Sequence, residues 1–143
     1  MKQVVDFLSE LSINNNKEWF DGHKDQYVKA LAQFHTFTEQ LIDGIASFHK
    51  EIGNLSIKDC TYRIYRDLRF SKDKTPYKTH MGAYICPGGK KSGQAGYYFH
   101  LEPGTKNKSS NHFMASGLWH PAPGVLKSVR DDILYDAQPY LES

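Results

Sequence analysis

The chain is poor in the features that identify most enzymes and membrane proteins from sequence. Its two cysteines, Cys60 and Cys86, lack the spacings of a zinc site and are too few for a disulfide framework. The glycine-rich nucleotide loops, the GxSxG elbow of hydrolases and the HExxH metal motif are all missing. No apolar run approaches the roughly 20 residues of a membrane span, and we find no signal-peptide pattern. We therefore expect a cytoplasmic protein with no membrane contact.

What the sequence does contain is an ordinary globular composition, with 39% hydrophobic and 24% charged residues. Its 143 residues correspond to about one domain, and no linker or repeat divides them. We expect a single domain over 1–143, long enough to bury a core without a structural metal. No motif predicts a cofactor, and the sequence leaves the oligomeric state open.

The net charge of +2 hides an uneven distribution of charge. Residues 58–108 hold eleven Lys and Arg against four acidic residues, a net charge of +7, whereas the segments on either side are acidic. A positive centre of this kind attracts anions to one region of a protein. The densest part is 62–80, YRIYRDLRFSKDKTPYKTH, which has three Arg, three Lys and only two acids.

The first third of the chain has helical spacing. Residues 3–11 predict a short helix, and a second helix is expected after Asn16, because asparagine is a good N-cap. From Tyr27 onward the apolar residues recur every three or four positions, which predicts a long amphipathic helix that ends at 53–54. We expect the aromatic residues of these helices to lie in the core: Trp19, Phe20, Phe34, Phe37 and Phe48.

The remainder reads as three strands and a final helix. Residues 81–86, 95–101 and 111–119 are strand-like, and their connections are too short for a parallel crossover, so we expect an antiparallel meander. The loop 87–93, PGGKKSG, is interpreted as a hairpin loop and not as a phosphate loop, because no helix follows it. Helical spacing resumes over 125–135. The predicted fold class is α+β: N-terminal helices, the long one packed on a small antiparallel meander, and a C-terminal helix.

The segment 62–80 is the candidate anion site. Arginine forks bind carboxylate or phosphate with two hydrogen bonds, lysines add mobile charges, and Tyr77 offers a ring for stacking. Asp67 and Asp73 lie among these cations, where they either orient the site or neutralise it in an internal network of ion pairs. Local preference favours a strand over 61–65. The candidate ligand-binding residues are Arg63, Arg66, Arg69, Lys72, Lys74, Tyr77 and Lys78.

Four runs of sequence resemble a known family: RIYRDLRFSKDKTPYKTH at 63–80, NNNKEWF at 14–20, FHLEPG at 99–104 and SGLWHPAP at 116–123. Together they are similar to a widespread bacterial and fungal conserved-hypothetical family, a domain of unknown function with the signature RxYRDxRFSKDKxPYK. The resemblance implies no activity, cofactor or catalytic residue. It also implies relatives that continue beyond the equivalent of Ser143, so we expect this chain to be a shortened form.

His80, His100 and Glu102 are a second, weaker set of candidates. His100 and Glu102 alternate on a predicted strand and so share a face, and His80 precedes the neighbouring strand. Histidine with carboxylate suits zinc, iron or manganese. The spacing matches no metal motif, so the sequence predicts no metal and leaves these three as weak candidates.

Three functions stay open. The preferred one is a module that binds an anionic or phosphorylated ligand, either a small molecule or nucleic acid, through 62–80. The second is a hydrolase-like enzyme in which Asp67 or Asp73 acts with His80 or His100, with or without a metal. The third is a structural or interaction protein whose arginines form an internal network of ion pairs. Whether the protein is an enzyme is left open.

Overall fold

Helices form the first part of the chain, and a small sheet follows them. The computed structural model describes residues 1–105 and 109–141. The helices of the first part are α1 (Lys2–Ile13), α2 (Lys17–Gly22), α3 (Lys24–Phe48), a 3-10 helix (Lys50–Ile52) and α4 (Ile57–Cys60). The later elements are β1 (Met81–Ile85), β2 (Gly96–Leu101), β3 (Phe113–Gly117), α5 (Pro123–Tyr135) and α6 (Gln138–Leu141). The predicted α+β class is confirmed.

The helix boundaries follow local chemistry. Asn16 caps α2, because its side-chain oxygen accepts a hydrogen bond of 2.9 Å from the Trp19 amide. The long helix α3 has 25 residues and ends at Phe48, earlier than predicted. The chain then tightens into the 3-10 helix, which places Ile52 in the core and leaves Phe48 69% exposed. The prediction that Phe48 lies in the core was therefore wrong.

The sheet is the predicted antiparallel meander, with strand order β1-β2-β3. The register places Ala83 opposite Phe99 and Phe99 opposite Met114. The segment 61–65 forms no strand of its own. It makes only two isolated antiparallel bridges, Thr61 with Ala83 and Tyr65 with Tyr77. The predicted strand over 61–65 is therefore reduced to two single-residue pairings.

The core lies between the helices and one face of the sheet. Phe20, 1% exposed, stacks on the ring of Tyr77 at 4.0 Å between centroids. Phe37 lies against Phe99 of β2, at 5.0 Å, which shows that α3 packs across the sheet as predicted. Cys60 and Cys86 are free thiols in this core. The main core cluster consists of Val4, Phe7, Leu8, Leu11, Phe20, Ala30, Phe34, Ile64, Tyr77, Met81, Ala83 and Leu101.

The C-terminal helix α5 forms where it was predicted, but it is not covered. All its residues are exposed, including apolar ones such as Leu134 at 84% and Tyr135 at 95%. Helical periodicity therefore predicted its conformation but not its surroundings. In the described part of the chain, no helix is long and apolar enough to cross a membrane.

Truncation of Phe20 tests the core. Phe20→Ala removes the ring that stacks on Tyr77, and we expect it to lower the free energy of unfolding by about 3–5 kcal/mol. Phe48→Ala is the matched control, because its ring is mostly exposed, and we expect a change within about 0.5 kcal/mol. Urea denaturation measures both values. Equal losses in the two variants would contradict this description of the core.

Candidate functional site

The sheet has one face against α3 and one face that forms a cleft. Successive side chains of a strand point to opposite faces. Residues with odd numbers in β1 and β2 face the core, and those with even numbers face the cleft, as do Phe113 and Ala115 of β3. The cleft has a volume of about 890 Å³. This volume lies in the range of small-molecule sites, which span roughly 300–1,000 Å³.

Three cations meet at one wall of this cleft: Arg63, Lys78 and Lys90, which we call the cation cluster. The Lys78 and Lys90 ammonium groups lie 5.6 and 6.0 Å from the centroid of the Tyr62 ring. Burial, followed by the positive charge of Arg63, lowers the pKa of Lys78. Within the described residues, no carboxylate pairs with Arg63 or Lys78 at ion-pair distance. Arg63 is exposed, whereas Lys78 and Lys90 are half-buried, so like charges of different exposure line one wall of the cleft.

Backbone contacts hold the cation cluster in place. The Lys78 amide donates to the Ile64 carbonyl at 2.8 Å, which ties the strip before β1 to the strip that carries Tyr62 and Arg63. The Lys90 amide donates to the Asp59 carbonyl at 2.8 Å, and its ammonium donates to the Lys58 carbonyl. The hairpin loop is therefore fastened to α4.

A glycine makes this fastening of the loop possible. Gly89 has φ +79°, and a Cβ atom there would lie 3.0 Å from the Asp59 Cβ and 3.1 Å from its carbonyl oxygen. Both the backbone conformation and the close approach favour glycine. A larger residue at this position would push Lys90 away from the cleft.

A histidine and a tyrosine form the other wall of the cleft. His100, only 8% exposed, has its Nδ1 atom 2.9 Å from the Tyr98 hydroxyl. Its Nε2 atom lies 3.5 Å from the nearer Glu102 carboxylate oxygen. The His80 ring lies 4.6 Å away, and Phe113 stacks on the His100 ring at 4.9 Å between centroids.

The three weak metal candidates, His80, His100 and Glu102, thus meet in the cleft. Over 1–105 and 109–141, however, no three His, Cys, Asp or Glu side chains are arranged to hold a metal ion. This wall instead contains a hydrogen bond between Tyr98 and His100, with the Glu102 carboxylate 3.5 Å from His100 Nε2, an atom that has no hydrogen-bond partner among the described residues.

Comparison with family models matches residues 3–143 to a family described as Conserved hypothetical protein (DUF2461). The chain belongs to this family. The resemblance inferred from the basic segment is thereby confirmed at the level of the family, and the description of the family names no activity. No curated protein and no solved structure matched the chain. The function of this DUF2461 protein must therefore be argued from its geometry.

Two of the predicted cations, Arg66 and Arg69, form an internal network outside the cleft of the DUF2461 protein. The Arg66 guanidinium donates to Asp73 and Thr75, and to the Ser71 hydroxyl at 3.3 Å. Arg69 makes a bidentate contact with Asp67, through Nε at 3.0 Å and Nη2 at 2.6 Å. Asp67 and Asp73 therefore lie with arginines and not with the histidines.

The other predicted residues lie on the loop or in the core. Lys74 donates to the Leu68 carbonyl at 3.0 Å, and Lys72 is exposed on the same loop. Tyr77 is 4% exposed and stacks on Phe20, so its ring faces the core. Of the seven predicted ligand-binding residues, the structure brings Arg63 and Lys78 into the cleft.

Sequence reasoning missed Lys90, Tyr62 and Tyr98 as residues of the cleft. Lys90 lies in the glycine-rich loop that was interpreted as a plain hairpin connection. A lysine next to two glycines was a usable signal, since such loops let the backbone approach closely. Tyr98 and His100 alternate on β2 as His100 and Glu102 do, so period two already placed all three on one face.

The network around Asp73 gives a pH-dependent prediction. Hydrogen bonds from the Thr75 backbone amide first, and then from Arg66, lower the pKa of Asp73 from 3.8 to about 2. A depressed carboxyl pKa stabilises the fold above the ordinary pKa, and this contribution is lost as the pH falls from about 4 toward about 2. We expect Asp73→Asn to lower Tm by a few degrees at pH 6 and to have little effect near pH 2.5.

Thermal denaturation between pH 6 and pH 2.5 measures this difference, with Asp43→Asn on the exposed side of α3 as the control. NMR titration of the Asp73 carboxyl gives a direct check. In Arg66→Ala the titration midpoint should rise but stay below the ordinary value, because the Thr75 amide remains. A gap in Tm that is the same at pH 6 and pH 2.5 would contradict the role of the ionised carboxylate.

Proposed function

We propose that the cleft binds a small phosphorylated or otherwise anionic molecule. The observation that carries the proposal is the meeting of Arg63, Lys78 and Lys90 around Tyr62. Like charges that share the wall of a cleft repel each other, most of all where Lys78 and Lys90 are half-buried, and an oxyanion bound there would remove this cost. The lowered pKa of Lys78, caused by burial and by Arg63, supports the same argument.

The shape of the cation cluster favours a compact ligand over nucleic acid. Nucleic acid binding needs positive charges spread along a surface. Arg66 and Arg69 would supply that spread, but they are paired with Asp73 and Asp67 on the loop. The cations that line the cleft border one cavity around Tyr62, which suits a compact anion such as a single phosphoryl group.

Aromatic rings provide the second half of the proposed site. Tyr62, Tyr98, Phe113 and Trp119 line the cleft beside the cation cluster. Such rings stack on planar groups and cover apolar ones. We infer that the ligand combines an oxyanion with a ring or another planar part, as nucleotides and aryl phosphates do.

A binding experiment tests this proposal. Isothermal titration at low salt should detect phenyl phosphate and AMP, and should detect inorganic phosphate more weakly because it lacks a ring. Binding should fall only modestly with salt, since about two or three charges are involved; a single-stranded oligonucleotide held along a basic strip would give a much steeper slope. Absence of binding to every probe at low salt would refute the proposal.

Matched lysine variants locate the site. Lys78→Met keeps the apolar stem and removes the charge, and we expect affinity for phenyl phosphate to fall about tenfold to a hundredfold. Lys72→Met makes the same change on the exposed loop and should leave affinity within about twofold. Equal losses in the two variants would indicate general attraction of anions and would contradict a site in the cleft.

The hydrolase interpretation has less support than binding. It requires Asp67 or Asp73 close to a histidine, and both aspartates are bonded to arginines on the loop, whereas His80 and His100 line the cleft. Nucleic acid as the ligand, a cytoplasmic location and a shortened C-terminus stay predictions.

A further inference from the structure

Tyr98 and His100 of β2 and Glu102 just after this strand lie next to one another along the cleft. The Tyr98 hydroxyl is 2.9 Å from His100 Nδ1, and His100 Nε2 is 3.5 Å from Glu102. Glu102 is held in turn by Thr79, whose hydroxyl donates to it at 3.4 Å. A phenol in the cleft, an imidazole and a carboxylate thus follow one another at alternate positions of the chain.

The position of the Tyr98 hydroxyl depends on Gly82. In the register of the sheet, Gly82 is the partner of His100. A Cβ atom at position 82 would lie 2.8 Å from the Tyr98 hydroxyl oxygen, so this oxygen lies directly over the glycine. The missing side chain at 82 provides the space in which the phenol reaches the histidine.

The same hydroxyl belongs to a residue that lines the cleft together with the cation cluster. Burial raises the pKa of Tyr98, and the negative charges of ionised Tyr62 and of Glu102 raise it further. Tyr98 therefore keeps its proton at neutral pH. It lies near Tyr62, and the ammonium groups of Lys78 and Lys90 lie over the Tyr62 ring. A neutral donor next to a group of cations is the usual composition of an oxyanion site.

His100 lines the cleft but is mostly buried. It is 8% exposed, and its Nε2 atom is buried. Its Nδ1 atom lies against the Tyr98 hydroxyl, so the imidazole can act on a bound molecule through Tyr98.

We propose that Tyr98 donates a hydrogen bond to the oxyanion held by the cation cluster, and that His100 is the positioning residue that sets the direction of the Tyr98 O–H bond. This inference rests on the proposed anion-binding function. A protonated His100 donates from Nδ1 to the Tyr98 oxygen and leaves the phenol proton for the ligand. A neutral His100 with its Nδ1 lone pair takes that proton and leaves an oxygen lone pair toward the anion.

Anion binding is therefore expected to be stronger when His100 is protonated and to weaken as the pH rises. The titratable groups that face His100 are Tyr98 of β2, Glu102 just after this strand and His80 from the strip before β1, and Phe113 of β3 adds an apolar face. Coupling between two binding events is reciprocal, so a bound anion should in turn favour the protonated form of His100.

Phenyl sulfate is the probe for this test, because its charge stays constant over the pH range used, whereas phosphate itself titrates. We expect its affinity for the wild-type chain to fall about tenfold between pH 5.5 and 8, the size of one hydrogen bond to a charged group. Tyr98→Phe keeps the ring and removes the hydroxyl. It should lower affinity at pH 5.5 to about the wild-type value at pH 8 and give a flat profile.

Two histidine variants separate positioning from a direct charge effect. His100→Gln removes the side chain that changes its charge, and because the glutamine amide can either donate to Tyr98 or accept from it, this variant should give an affinity that does not change with pH. His80→Gln removes the neighbouring histidine of the cleft and should keep the dependence on pH. Gly82→Ala should lower affinity at pH 5.5 without removing any polar atom, because it displaces the Tyr98 hydroxyl.

A wild-type profile that stays unchanged in Tyr98→Phe would overturn the proposal, and so would a profile lost in His80→Gln but kept in His100→Gln. Circular dichroism and Tm confirm that each variant is folded. If His100→Gln is unfolded, the pH profile of Tyr98→Phe decides whether the proposal holds, since this variant removes only the hydroxyl group. Loss of binding in Lys78→Met together with no effect of Tyr98→Phe would refute this inference and leave the proposed function standing. No binding of any anion would refute both.

Discussion

The antiparallel pairing of β1 with β2 is the constraint on which both the core and the cleft depend. Its register sets Ala83 opposite Phe99 on the core face and Gly82 opposite His100 on the cleft face. A slip of one residue would turn every side chain of the slipped strand to the other face. His100 would then enter an apolar core, and Phe99 would lose its contact with α3. Burial of Phe99 and its neighbours on the core face therefore also determines which side chains of β2 lie on the cleft face.

The basic segment 62–80 divides into two parts with different roles. Its middle, from Arg66 to Thr75, is a loop whose arginines are bonded to its own aspartates. Its two ends lie side by side along β1 and bring Arg63 and Lys78 to the wall of the cleft. An internal network of ion pairs and a cluster of cations that face a cleft thus occupy different stretches of one segment. The paired loop closes the turn that sets the two ends next to each other.

The cleft combines cations, phenols and a buried imidazole in a small volume. Cations in a half-buried place act on an anion more strongly than exposed ones, because less water screens them. The phenols stay neutral, since burial raises the pKa of Tyr62, Tyr84 and Tyr98. Residues from four separate stretches of sequence converge here, and the proposed binding of an oxyanion rests on this composition. Family membership alone gives no such information.

The sequence by itself determined the features that depend on local periodicity and on charge counts. Helices α1, α2, α3 and α5, the three strands, their meander and the positive centre were predicted, because neighbouring residues encode them, whereas the 3-10 helix, α4 and α6 were not. Only the tertiary structure decided which cations line the cleft, because that depends on contacts between residues far apart in sequence. The pairs Arg66–Asp73 and Arg69–Asp67 are local in sequence, and their formation depends on the conformation of the folded loop. Lys90 joins the cleft through the carbonyls of α4, and Phe48 stays exposed because a 3-10 helix turns Ile52 inward. Charges and spacings can be read from the sequence, whereas the direction of each side chain is set by the packing of the whole chain.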